Sequence, residues 1–195
     1  MGETVWAYRV GAFSPGNGWS QVVSLPMTGN LSYLLDELGT RGLQGQVERL
    51  AIVAHGDAPG IVNTDPRMDN DSIWRSAAVC GPISTLRDFL TPTAQVMLVS
   101  CIAGAGPDGT RLLCALSSFW PGRTVIGFIT SGEFNPYYTT AGDIFDTGGA
   151  FTGGTVLSRL SRSALFALRM TPSRPTAKWA RDGGVVRMPR RETIQ

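Results

Sequence analysis

The chain is expected to fold as a three-layer α/β domain, with a mostly parallel central sheet flanked by helices. Three observations predict it. Leu50, Ala51, Ile52, Val53 and Ala54 form a short apolar run, as do Val96, Met97, Leu98 and Val99, and residues 124–129 form a third. Runs that are apolar on both faces suit strands covered on both sides, as parallel strands are. Between these runs lie segments with helical signals, and strand–helix–strand order implies parallel strands joined by right-handed crossovers.

The elements follow in order. Residues 4–13 and 19–25 are rich in Val, Trp, Tyr and Phe, and the cluster Ser14, Pro15, Gly16, Asn17, Gly18 separates them. They read as a hairpin. Asn30 can cap a helix in which Leu31, Leu34, Leu35 and Leu38 make one apolar stripe, ending near Gly39 or Gly42. Residues 57–70 read as loop, and residues 84–90 as a helix with Pro82 near its start. A further helix is expected over residues 110–118. The Gly-, Thr-, Tyr- and Asp-rich stretch 131–154 is too long for an ordinary connection and reads as a functional loop. Residues 155–170 read as a helix, and 185–188 as an edge strand. With 195 residues, 43% of them apolar, and no internal repeat, a single domain over 1–195 is expected.

Composition narrows the function. No window approaches the roughly 20 apolar residues of a membrane helix, and the start lacks a basic then apolar leader, so a cytoplasmic protein without membrane contact is expected. Trp6 stands where an N-myristoylation signal needs Ser or Thr. Cys80, Cys101 and Cys114 are read as free thiols, and one histidine without a Cys-x-x-Cys pair argues against a zinc site. No metal and no cofactor are expected. The basic segment 159–195 holds nine of the 17 Lys and Arg against only Asp182 and Glu192. It has no base-reading signature, so a solvated basic tail is the leading reading and nucleic acid is not the expected partner; contact with an acidic partner or with the acidic face of its own domain is the alternative.

His55 and Cys101 each follow an apolar strand and precede small residues. In a parallel sheet the carboxyl ends of strands share one rim, where ligands gather. A thiol acts as a nucleophile when it is a thiolate, which a neighbouring imidazole generates by taking the proton. The backbone N–H groups of Gly56 and Cys101 are candidates for an oxyanion hole. Cys80 and Cys114 are assigned to the core.

An apolar strand ending in His55-Gly56, then one ending in Ser100-Cys101, resembles the caspase, metacaspase, legumain and gingipain peptidases. The separation of 46 residues is close to the about 50 of caspases. Cys101, Gly104, Gly106 and Gly109 are also spaced as in bacterial caspase-like domains attached to larger secreted or effector proteins. The resemblance covers about residues 47–130. It implies a cysteine endopeptidase acting on protein or peptide, with His55 as base, Cys101 as nucleophile and Gly56 as an oxyanion donor. By the same resemblance Val99 lines the pocket for the residue before the cleaved bond. Because that position is apolar here and the caspase Gln-Ala-Cys pattern is absent, neither Asp nor basic specificity carries over. Asp57, Asp143 and Asp146 are the acids that could reach the pocket.

Two other readings compete. Gly104, Gly106 and Gly109 satisfy G-x-G-x-x-G between a strand and a helix, the mark of a dinucleotide-binding module, although Pro107 stiffens the turn and no acid ends the next strand. A caspase-like interaction domain without activity is the other. Pro107 rules out the Cys-x5-Arg loop of tyrosine phosphatases, Val99 and Cys101 flanking Ser100 rule out a serine elbow, and Thr110 after Gly109 rules out a Walker loop.

Overall fold

A computed structural model describes residues 2–9, 19–26, 31–129 and 177–186. In chain order its elements are β1 (Glu3–Arg9), β2 (Gln21–Leu25), α1 (Leu31–Thr40), β3 (Val47–Val53), β4 (Ile61–Val62), β5 (Met68–Asp69) and α2 (Ser72–Arg75). They continue as α3 (Ala77–Leu86), β6 (Leu90–Val99), α4 (Gly106–Phe119), β7 (Thr124–Phe128), β8 (Ala177–Arg181) and β9 (Gly184–Val186). Seven strands form one sheet in the order β2-β1-β3-β6-β7-β8-β9, and β4 with β5 forms a separate antiparallel pair. β2, β1, β3, β6 and β7 are parallel to one another, whereas β8 and then β9 reverse direction at each step. The chain is therefore α/β, with a mostly parallel central sheet.

The steps from β2 to β3, β3 to β6 and β6 to β7 all advance the same way across the sheet. Right-handed crossovers then put their helices on one face. The side chains agree. Leu34 and Leu38 of α1, Ile73 of α2, Val79 and Ile83 of α3, and Leu112 and Leu116 of α4 all join one core cluster with Leu50, Ile52, Val96 and Leu98. The alternate residues Ala51, Val53, Met97, Val99, Ile126 and Phe128 face the other way and cluster with Trp6 and Trp179. Among the described residues no helix packs on that second face; the helix expected over residues 155–170 and the loop 131–154 lie outside them.

Several expectations are corrected. The strands expected to form a hairpin pair in parallel, with Val5 opposite Gln21 and Arg9 opposite Leu25. A hairpin is joined by a tight turn of about two to five residues, whereas eleven residues separate these two strands. The helix expected over residues 84–90 is α3, seven residues earlier, and Leu90 already opens β6. Pro82 sits inside α3, where it removes the bond to the carbonyl of Ala78; Ala78 is exposed, which leaves that carbonyl open to water. α4 begins four residues before the expected 110, with Pro107 in its first turn. The edge strand expected over 185–188 is β9, and β8 beside it was not anticipated.

Candidate functional site

β3 and β6 run side by side, with Val53 paired to Val99 at the end of the ladder and the Ala54 N–H donating to the Val99 carbonyl at 3.2 Å. His55 and Cys101 each lie two residues beyond that last pair. They therefore leave the sheet together, at the carboxyl ends of neighbouring parallel strands. β3 ends at Val53 and β6 at Val99, so His55 and Cys101 stand in the segments that leave the two strands, just past the rim. His55 is exposed and Cys101 is half-buried.

The two turns that follow are packed against each other. A Cβ on Gly56 would collide with Ser100 Oγ, lie 2.5 Å from the Cys101 carbonyl oxygen and 3.2 Å from that of Ile61. Only glycine fits there. Ser100 is 4% exposed and its Oγ has no hydrogen-bond partner among the described residues. After Cys101 the backbone turns sharply. Ile102 has φ +49°, a left-handed conformation that a β-branched side chain makes costly. The turn is held by Gly104 N–H to the Phe128 carbonyl at 2.8 Å and by Ala105 N–H to the Ile102 carbonyl at 2.8 Å. Strain of this kind persists where the surroundings over-determine it, and it clusters at working sites.

On the other side, Asn63 N–H donates to the His55 carbonyl at 2.9 Å, and Asn63 Nδ2 donates to the carboxylate of Asp57. Gly60 N–H donates to the Ala103 carbonyl at 3.2 Å, and Gly60 at φ +74° lies against the backbone of Asp108 in α4. The loop after His55 and the turn after Cys101 thus form one packed unit. Val99 is 3% exposed, within the second core cluster, while Asp57 is exposed beside His55. Asp143 and Asp146 lie outside the described residues.

Gly104 and Gly109 owe their size to packing. A Cβ on Gly104 would lie 2.5 Å from the Gly127 carbonyl oxygen of β7, and one on Gly109 would collide with Gly104. The glycine spacing thus seats α4 and its loop against β7. Among the described residues no group of three or more His, Cys, Asp or Glu is placed to hold a metal ion, and no helix is long and apolar enough to cross a membrane. None of the three cysteines is joined in a disulfide. Cys114, half-buried on α4, has its thiol pushed up by burial, against a smaller downward pull from Lys178. Lys178, from the basic segment, donates to Thr110 Oγ1 at 2.5 Å and to the Gly106 carbonyl at 3.3 Å, so this cation is spent on its own domain. Compared with protein-family models, with curated proteins and with solved structures, the chain matches none.

Sequence reasoning selected His55, Gly56 and Cys101, and missed Asn63, Ser100 and the strained Ile102. Asn63 carries no signal in one dimension, because its partners are set by how β4 returns beneath the His55 turn.

Proposed function

We propose that the chain is a caspase-like cysteine endopeptidase in which Cys101 attacks the peptide carbonyl and His55 is the base. The observation that carries this reading is the shared rung: His55 and Cys101 end neighbouring parallel strands at equal distance from the last pair, with Gly56 wedged between their turns. His55 takes the Cys101 proton, and the thiolate adds to the carbonyl carbon. The negative charge that develops on the oxygen is met by N–H groups of Gly56 and Cys101 on the two facing turns. Imidazolium then gives its proton to the leaving amine as the C–N bond breaks, leaving a thioester. Water, deprotonated by His55, releases the acid and restores the thiol.

Val99, which the resemblance puts at the pocket position, is buried with Val53 and Phe128 in the second core cluster and brings no charge to the rim. A neutral residue before the cleaved bond is expected, since an unpaired charge there would lose several kcal/mol by order of magnitude. A library of fluorogenic peptides tests both claims. The full chain should cleave preferentially after neutral residues, and Cys101→Ala and His55→Ala should each lower turnover by at least about a hundredfold. An unchanged rate in both variants would remove Cys101 and His55 from the chemistry, and no cleavage of any peptide by the wild-type chain would leave the non-catalytic interaction domain as the better reading.

A further inference from the structure

Where an imidazole sits is set first by the backbone that carries its Cβ. In this chain that backbone is a three-residue turn, His55, Gly56 and Asp57, and one residue holds both of its ends. Asn63 N–H donates to the His55 carbonyl at 2.9 Å, and Asn63 Nδ2 donates to Asp57 Oδ1. Gly56, the middle of the turn, is pressed against Ser100 and Cys101. Asn63 is itself anchored, because it follows Val62, which is fully buried in the first core cluster and paired with Met68. A chain of contacts therefore runs from the core through β4 and Asn63 to the turn that bears His55.

From this geometry we infer that Asn63 is a positioning residue that fixes His55 relative to Cys101; the inference rests on the Cys–His reading above. The side chain required is an amide. An ionised Asp57 carboxylate only accepts hydrogen bonds, so its partner must donate. Alanine at position 63 keeps the backbone bond and loses the side-chain bond, whereas aspartate sets two carboxylates against each other and pushes the turn open.

A double-mutant cycle on the full chain tests it, reading the rate of iodoacetamide alkylation at Cys101 by mass spectrometry and peptide hydrolysis in parallel. Asn63→Asp should slow alkylation at Cys101 about tenfold, and Asn63→Ala about threefold, by disturbing the base rather than the thiol. Either substitution made on top of His55→Ala should change the rate by less than about twofold, because the residue through which Asn63 acts is gone. Hydrolysis should fall in kcat with KM held within about twofold. Circular dichroism and thermal melting report folding, and Asn63→Ala carries the test if Asn63→Asp does not fold.

If His55→Ala slows alkylation while both Asn63 variants leave it at the wild-type rate, the positioning role is overturned and the dyad stands. If the Asn63 variants slow alkylation equally with and without His55, Asn63 acts on the thiol or on the fold, and the inference is likewise overturned. If His55→Ala itself leaves Cys101 reactivity unchanged, it is the dyad that fails.

Discussion

Gly56 has no room for a methyl group, and the atoms that exclude it belong to the neighbouring turn of Ser100 and Cys101. Gly56→Ala must therefore move backbone against backbone. It is expected to cost about 1–3 kcal/mol of stability and to lower turnover by more than that loss alone explains, since His55 moves with the turn. Thermal melting together with kcat at a temperature well below Tm checks this; a variant with wild-type kcat would mean that the contact is structural only. At this scale the sequence was partly legible. His55 and Cys101 stood out because each ends an apolar run, a one-dimensional signal that survives folding unchanged. Gly104 and Gly109 were visible as a spacing but not as a reason: the close approach of Gly104 to the Gly127 carbonyl and of Gly109 to Gly104 exists only in three dimensions. Ile102 gave no sign of its left-handed backbone, because nothing in an isoleucine announces it.

Among the elements, α1, β3, β6, α4 and β7 were legible in kind because their apolar periodicity is strong, and their limits moved where local chemistry outweighed it. Pro82, expected near the start of a helix over residues 84–90, lies within α3. β8 and β9 are joined through Asp182 and Gly183, at φ +50° and +78°, with Gly122 N–H donating to Asp182 Oδ1 at 2.7 Å. An Asp-Gly pair between apolar stretches is a strong hairpin signal, and it was present in the sequence. The entry to α2 shows a different device. Asp69 Oδ1 accepts from Ser72 N–H at 2.8 Å and Asp71 N–H at 3.1 Å, while Asp69 N–H donates to Ser72 Oγ at 2.8 Å, a reciprocal arrangement like a capping box. Partial burial pushes the Asp69 carboxyl upward, but the hydrogen bonds from Ser72 and the Arg67 guanidinium outweigh it and hold the group below its ordinary range. A carboxyl depressed in the folded state adds stability that is complete above its unfolded value of about 3.9 and is lost as pH falls through the folded value. Asp69→Ala should therefore cost about 1 kcal/mol at neutral pH, with the gap to wild type closing as the pH falls below about 4. Chemical denaturation at both pH values reads the difference, and a gap independent of pH would show that the charge plays no part.

For the molecule as a whole, sheet order is what brings the site together. Every step from β2 onward to β7 advances in one direction, so α1, α3 and α4 share a face, and the adjacency of β3 and β6 puts His55 and Cys101 at one rim. The α/β class and the common rim could be read from apolar runs and the rule that ligands gather at carboxyl strand ends. The pairing of β1 with β2 could not, because a hairpin and a parallel pair differ only in the path between strands, which residue composition does not encode. The central claim is that His55 turns Cys101 into a reactive thiolate. Iodoacetamide labelling of the full chain near pH 6, where ordinary thiols are almost wholly protonated, tests it most directly. The account predicts that Cys101 is modified at least about tenfold faster than Cys80 and Cys114, and that His55→Ala erases the preference while circular dichroism shows the fold retained. Equal rates at the three cysteines, or a Cys101 rate indifferent to His55, would contradict it.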